Sequence, residues 1–254
     1  MKQCTTSKKI NYLLGIILFI GLWQLISLII DERVMLLPGP FDTLINAIYQ
    51  LGKPYTLECI GASFIKLLMG YGIALIIGFV LGIISGNSEF VYDLLKPLMT
   101  FLRSVPTASL VYLFIVLAGF KMAPLCLVVL ISFPIIYDAI AVAIKNVDEK
   151  LIEASRLDGA DIIKENISVR LPLSFRYFVK PLFSTFSLAF KTEIMAEVLT
   201  GSTNKGLGNL ISSSRAIDPT NMVPVFAYAL IAVVLMMIVE CVSTILLHQI
   251  DNRL

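Results

Sequence analysis

Few side chains in this 254-residue chain are of types that could carry out chemistry, and they are widely spaced. The single histidine, His248, has no second histidine with which to hold a metal or relay a proton, so we interpret it as a polar residue at a membrane interface. The four cysteines form no metal-spaced pair and are interpreted as small apolar residues. Neither an HExxH nor a GxGD motif occurs, and no GxxxxGKS/T loop is present to bind a nucleotide. The sequence therefore predicts no catalytic group, metal site or cofactor on this chain.

The composition indicates an integral membrane protein. The chain is 57% hydrophobic and only 15% charged, with a mean hydropathy of +0.88. Soluble domains contain about 25% charged residues, so a soluble chain of this composition could not cover its surface with polar groups. The net charge of +2 gives no indication of nucleic-acid binding, and the lipid bilayer is the expected surrounding.

Six apolar stretches are predicted to span the bilayer, which gives an all-α membrane protein of about six transmembrane helices. They are residues 10–30, 61–85, 97–120, 123–144, 175–199 and 222–247. Within the third stretch, Arg103 to Pro106 interrupts the apolar run, and a tight turn is expected at Lys121 and Met122. Residues 1–60 are predicted to form an N-terminal span and an external amphipathic segment, whose helix covers residues 41–51.

The charge distribution predicts the orientation. An even number of spans places both termini on one side of the membrane. Lysines and arginines concentrate in the N-terminus, around Lys96 and Arg103, and in residues 145–176. The protein is expected in the cell membrane. By the positive-inside rule, its N- and C-termini and residues 145–176 are expected to lie on the cytoplasmic side.

Residues 145–176 form a polar island between the fourth and fifth spans. Asp148 is predicted to cap a short helix whose apolar side carries Leu151 and Ile152. Gly159 interrupts this helix, and Pro172 is expected to end a second one because proline cannot continue the hydrogen-bond ladder. A helical segment that projects into water between spans indicates a docking surface for another molecule.

Several charged residues fall within the spans. A charge at mid-bilayer costs at least about 2.5–3.5 kcal/mol, so such a residue should face a partner or a water path. Glu193 and Glu197 are four residues apart and can share one helix face, whereas Lys191 cannot share it with Glu193. Two roles stay open for these residues: pairing within the chain or across a dimer, or lining a conduit. Lys66 is expected to reach the interface or to pair with Glu58.

Three glycines at the end of the second span and directly after it, Gly78, Gly82 and Gly86, recur at every fourth position. This small-xxx-small pattern allows two helices to approach closely in lipid. We therefore predict tight helix packing here, and favour it over a role in a substrate path.

The island also resembles a known family. Glu153-Ala154-Ser155, Gly159 and Leu171-Pro172 resemble the EAA signature of ATP-binding-cassette (ABC) importer permeases, with Ser155 in place of the usual second alanine. Two further motifs resemble the nitrate/sulfonate/taurine branch of these permeases. They are Arg103-Ser104-Val105-Pro106 before an apolar helix, and Ala196-Glu197-Val198-Leu199 before Gly206-Leu207-Gly208. The likeness runs from about Gly61 to the C-terminus.

The resemblance implies a type I ABC importer permease fold, with residues 61–254 as its core and a cytoplasmic coupling helix in the island. Implied partners are cytoplasmic ABC ATPase subunits that bind ATP and Mg²⁺, an extracellular solute-binding protein, and a second permease in a homodimer or pseudo-dimer. The residues implied in ATPase coupling are Leu151, Ile152, Glu153, Ala154, Ser155, Arg156, Gly159, Ala160, Leu171 and Pro172. The translocation path is expected to include Arg103, Pro106, Glu193 and Glu197.

The implied cargo is a small anion of the sulfonate, nitrate or taurine kind, or a heteroaromatic compound like a thiamine precursor. The alternatives are an intramembrane enzyme and an ion-coupled secondary transporter. An intramembrane enzyme would need paired catalytic groups at membrane depth, and the motifs for them are absent. An ion-coupled secondary transporter would show inverted internal repeats, and none is visible in the sequence.

Overall fold

The computed structural model describes residues 3–29, 37–157, 161–201 and 205–251, and the regular structure in these ranges is almost entirely helical. The helices are α1 (Gln3–Ile29), α2 (Pro40–Leu51), α3 (Pro54–Asn87), α4 (Glu89–Ser104), α5 (Thr107–Lys145), α6 (Glu149–Leu157), α7 (Ile162–Glu165), α8 (Leu171–Thr200), α9 (Leu207–Ile217) and α10 (Val223–Asp251). A π-turn, Asn166–Arg170, joins α7 to α8.

Within the described ranges, three helices are long and apolar enough to cross a membrane: α3, α5 and α10. Helix α1 contributes the shorter apolar stretch Leu14–Ile29. Helix α8 has 30 residues, but its charged side chains make it less apolar than these three. The fold is therefore that of an all-α membrane protein, as predicted, whereas the number of six spans stays a prediction.

Helix α5 contains a sharp reversal at Gly119. Its φ of 77° lies in the left-handed region, which a residue without a β-carbon adopts at little cost. Leu110 and Val111, before the turn, pack in one cluster with Leu127, after it, so the two limbs of α5 (107–118 and 120–145) lie side by side. The turn is predicted at Lys121 and Met122 and instead falls at Gly119, two residues before Lys121.

The glycines of α3 lie directly against the second limb of α5. A β-carbon added at Gly78, Gly82 or Gly86 would lie only 2.7–2.9 Å from the side chain of Ile136, Ile140 or Ile144, respectively. The paired positions advance together along both helices, so α3 and this limb run parallel in tight contact. The predicted close packing of these glycines is confirmed.

The polar island differs from its prediction at Pro172. This residue does not end a helix, because the backbone stays helical from Ile162 through the π-turn into α8. The amide of Leu171 donates to the carbonyl of Asn166, five residues back, so the hydrogen-bond register shifts just before the proline. Pro172 then lies in the first turn of α8, where its missing N–H group costs least.

Helix α2, predicted over residues 41–51, extends over Pro40–Leu51. It is attached to α10 by a hydrogen bond of 2.9 Å from the Tyr228 hydroxyl to the Gln50 side chain. The end of α1 lies nearby, since the Trp23 indole donates to the Pro38 carbonyl at 3.0 Å. These contacts hold the N-terminal elements against the end of the bundle where α10 begins.

Candidate functional site

Helix α6, at the start of the island, presents one side to its own chain and the other to solvent. The Lys150 amide donates to the Asp148 carboxylate at 3.0 Å, which is the predicted N-cap. Ile152 is buried and anchors the helix, whereas Leu151, Glu153 and Ala154 are exposed. An exposed apolar side on a short polar helix indicates a surface that a partner covers.

The exposed side of α6 borders an open cleft of about 540 Å³. Its lining residues are Leu151, Ala154, Ser155, Lys164, Ser168, Val169, Pro172 and Leu173. The fold thus brings Ala154 and Ser155, from the first part of the EAA-like motif, together with Pro172, from its last part. Gly159 and Ala160 lie outside the described residues.

A buried carboxylate joins α6 to the start of α8. Glu165 is 2% exposed and accepts hydrogen bonds from Arg156 Nε at 2.8 Å and from Arg170 Nε at 2.7 Å. The bond from Arg156, supported by Arg170, holds the pKa of Glu165 below its usual value near 4.5. We call Arg156, Glu165 and Arg170 the inner cluster. Only Arg156 of the three was a predicted site residue.

The π-turn inside this region is also tied to α3. The Asn87 side-chain amide donates to the Asn166 side-chain oxygen at 2.8 Å. Asn87 is the last residue of α3, and Asn166 is the first residue of the π-turn. The inner cluster is thereby held at the end of the bundle where the closely packed α3 and α5 terminate.

A second buried carboxylate lies at the far end of α8. Glu197 is fully buried, and its two oxygens accept from Lys66 Nζ at 2.7 Å, from the Ser63 hydroxyl at 2.7 Å and from the Gly208 amide at 2.9 Å. The Leu207 amide donates to the Ser63 hydroxyl oxygen at 2.9 Å. These two amides begin α9, so α3 and α8 together cap its N-terminus. Ser63, Lys66, Glu197, Gly206 and Gly208 are termed the outer cluster.

The glycines of the outer cluster are required by the short distance between the loop and α8. A β-carbon at Gly206 would collide with the Glu197 carboxylate, and one at Gly208 would collide with the Ile194 carbonyl. The Ala196–Leu199 and Gly206–Gly208 motifs are therefore two halves of one contact. Both motifs are visible in the sequence, but the spacing between them did not identify Lys66 and Ser63 as partners of Glu197.

The predicted partner of Lys66 was wrong. Lys66 pairs with Glu197, and Glu58 pairs with Lys205 at 2.7 Å. Glu58 and Lys66 are two turns apart on α3, about 12 Å along the axis, which is too far for a direct pair. Lys66 also donates to the Lys205 carbonyl at 2.8 Å, so both pairs fasten the loop before α9 to α3.

The four predicted path residues fall into two groups. Glu193 and Glu197 are fully buried inside the chain, and neither carboxylate oxygen of Glu193 has a hydrogen-bond partner among the described residues. Pro106 and Arg103 are exposed, and Arg103 pairs with Asp138 at 2.6 Å and also donates to the Pro134 carbonyl. Only the second group faces open space, and a role of all four in the path stays a prediction.

Solved structures share this fold. The chain aligns with an amino acid ABC transporter with a TM-score of 0.63 at 15% identity, covering 79% of this chain and 94% of that chain. It aligns with the inward-facing MetNI methionine ABC transporter with a TM-score of 0.59 at 18% identity, covering 82% and 95%, respectively. At these identities the likeness concerns the fold, and it confirms a type I ABC importer permease fold.

Relatives by sequence are transport permeases. A "probable ABC transporter permease protein" of Brucella melitensis is 27% identical over 77% of this chain and 78% of its own length. A chain named as an aliphatic sulfonates transport permease, SsuC, of Bacillus subtilis is 24% identical over 85% of this chain and 79% of its own length. The nitrate import permease protein NrtB of Leptolyngbya laminosa is 26% identical over 80% and 75%, respectively.

The family match covers most of the chain and is consistent with both sets of likenesses. The model for the binding-protein-dependent transport system inner membrane component matches residues 74–253, which include the inner cluster, α8 and the glycine motif. The members of this family are transport components and not enzymes, and ATP is hydrolysed on a separate subunit. This chain belongs to the family of binding-protein-dependent transport system inner membrane components and is a multi-pass permease of an ABC importer.

Proposed function

We propose that this permease couples ATP hydrolysis on cytoplasmic ATPase subunits to the passage of a small anion between two permease subunits. The observation that carries the proposal is the exposed side of α6 beside the cleft of Ala154, Ser155 and Pro172. Leu151 and Ala154 supply apolar contact area, and Glu153 supplies a charge at the rim. In this proposal α6 enters a groove on the ATPase and moves with it.

The inner cluster would transmit that movement to the membrane. Arg156 is on α6, Glu165 ends α7, and Arg170 directly precedes α8, so two ion pairs link α6 to the long helix. Helix α8 then runs to Glu197 in the outer cluster, which holds the start of α9. A displacement of α6 would therefore reach the opposite end of the bundle through one continuous helix.

Assembly and orientation complete the proposal. The N- and C-termini and α6 face the cytoplasm, and ATP and Mg²⁺ bind on the ATPase subunits. Two permeases, identical or closely related, enclose the path, and an extracellular binding protein delivers the cargo to α2 and α9. The small-anion cargo is supported by the relatives named for sulfonate and nitrate transport. A thiamine-precursor-like heteroaromatic is the second candidate, on the resemblance alone.

A charge reversal on α6 tests the docking. We expect Glu153→Lys, on the exposed side, to insert normally and to lose most of the ATPase subunit on co-purification. Asp93→Lys, which reverses an exposed acidic charge on α4 and not on α6, is the control and should retain the ATPase. Full recovery of the ATPase with Glu153→Lys would contradict the proposed docking surface.

A further inference from the structure

One face of the middle part of α8 is rich in polar side chains and points away from the described rest of the chain. It contains Lys180, Ser184, Ser187, Leu188 and Lys191, of which only Ser187 is partly covered and the other four are exposed. Lys180 and Lys191 are eleven residues apart, which is about three helical turns, so both lie on the same side of α8. We call this set the lysine face.

Both lysines are placed at membrane depth. Helix α8 runs for 30 residues, about 45 Å, between the inner and outer clusters. Each lysine is about 13 Å from the nearer end of the helix, and the hydrocarbon core is about 30 Å thick. The lysine face therefore passes through the region in which an unpaired charge is least favourable.

No acidic residue that the structure describes pairs with either lysine. Neither forms an ion pair with any described residue, whereas Lys66 and Arg103 pair with Glu197 and Asp138, respectively. The carboxylates of α8 itself, Glu193 and Glu197, are fully buried on the other side of the helix. The described residues thus leave the positive charge of the lysine face without a partner.

Contact with lipid does not fit this face. A lysine can extend its charged end to the interface from the last turns of a helix, but serines cannot, and Ser184 lies between the lysines at mid-helix. A row of lysines and serines at membrane depth is instead typical of a surface that meets water. In a permease, the water at this depth is that of the path.

We propose that the lysine face of α8 lines the translocation path and that Lys180 and Lys191 attract the anion during passage. This inference rests on the proposed function and adds to it the residues that select for negative charge. The lysines are about 16 Å apart along the helix, so they form two separate weak binding sites for the anion and not one tight site. Weak successive sites favour conduction, because an ion must enter readily and also leave.

Cysteine accessibility in the assembled permease–ATPase complex in lipid vesicles tests this proposal. Ser184→Cys is made in a background whose four native cysteines are replaced by alanine, and its reaction rates are measured with an anionic and a cationic methanethiosulfonate. We expect both reagents to react and the anionic one to be favoured. Lys180→Gln combined with Lys191→Gln should then lower the anionic-to-cationic rate ratio about tenfold.

Three controls distinguish exposure to the path from exposure to lipid and from a general effect of removing a lysine. Met237→Cys, exposed on the apolar α10, should react with neither reagent because it faces lipid. Ile217→Cys, exposed at the end of α9, should react with both, and Lys53→Gln should leave the rate ratio at Ser184→Cys unchanged. The proposal would be overturned if Ser184→Cys reacted with neither reagent while Ile217→Cys reacted with both. It would also be overturned if replacing the two lysines left the anionic-to-cationic rate ratio at Ser184→Cys unchanged. Loss of the ATPase from Glu153→Lys is a separate measurement, so the docking claim and the lysine face can fail independently.

Discussion

The inner and outer clusters each contain a buried glutamate, but the two carboxylates have different surroundings. In the outer cluster, Glu197 is fully enclosed and accepts from a lysine, a hydroxyl and a backbone amide. In the inner cluster, Glu165 accepts from two arginines, and the Arg156 side chain is 59% exposed. One carboxylate is thus shielded on all sides, and the other is reached by a cation that stays in contact with water.

This difference indicates different mechanical roles. Partners of a fully buried charge cannot separate without leaving that charge unsolvated, so the outer cluster should behave as a fixed clamp between α3, α8 and α9. The exposed Arg156 guanidinium can leave the carboxylate for water while the largely buried Arg170 keeps Glu165 paired, so the inner cluster can act as an adjustable joint. A coupling segment that must move during transport suits the second arrangement.

Removing the cation of the outer cluster should have the largest effect on stability. Lys66→Ala leaves Glu197 buried and without its counter-charge, and we expect the free energy of unfolding to fall by about 3–5 kcal/mol. Thermal unfolding of the purified protein in detergent measures this change. Lys205→Ala, which removes the exposed Lys205–Glu58 pair, is the matched control and should change the unfolding temperature little. Equal stability of Lys66→Ala and the unaltered protein would contradict the clamp.

Glycine substitution tests the close contact in the same cluster. Gly208→Ala places a β-carbon against the Ile194 carbonyl and the Glu197 side chain, and overpacking of this kind costs about 1–3 kcal/mol. Gly72→Ala, in α3, has open space around the new carbon and should be neutral or slightly stabilising. If both variants unfold at the same temperature, the loop before α9 is not held as tightly as the outer cluster requires.

Local patterns in the sequence predicted the elements that depend on neighbouring residues. The cap at Asp148, the short helix α6 and the glycine contact of α3 each rest on a spacing of a few residues, and all three are found in the structure. The prediction that Pro172 ends a helix is wrong, because the rule that proline breaks a helix assumes regular α-helical hydrogen bonds. The π-turn before it changes the hydrogen-bond register, and nothing in the local residues indicated that turn.

Contacts between distant residues were the part that spacing could not predict. Lys66 and Glu197 are separated by 131 positions, and a nearer acidic residue, Glu58, offered a plausible but wrong partner. Glu165 has the sequence context of one of many charges on a solvated segment, and its burial by Arg156 and Arg170 follows from how α6 folds back on α7 and the π-turn. Likeness to a family identified the motif residues, but the structure was needed to show what they touch.

Neutralising the inner carboxylate should affect coupling more than stability. In Glu165→Gln the two arginines lose a charged acceptor, and charge-assisted hydrogen bonds are roughly twice as strong as neutral ones. We expect ATP hydrolysis by the assembled transporter to respond to the loaded binding protein about tenfold less, at the low end of typical coupling energies. Glu149→Gln, on α6 and without an ion pair among the described residues, is the control. A response equal to that of the unaltered transporter would show that α6 acts on α8 by another route.

Acid titration of the inner cluster should produce the smallest effect. The pKa of Glu165 lies below its usual value near 4.5, chiefly because Arg156 donates to it, so the folded state favours the charged form. The stabilisation from this carboxylate is therefore complete above about pH 4.5 and is lost as the pH falls through the lowered pKa. The difference in unfolding temperature between the unaltered protein and Glu165→Gln should stay constant from pH 7 to about pH 5 and shrink only below that. A difference that already shrinks between pH 7 and pH 6 would mean that Glu165 is not held in its charged form, and that the inner cluster is not the joint.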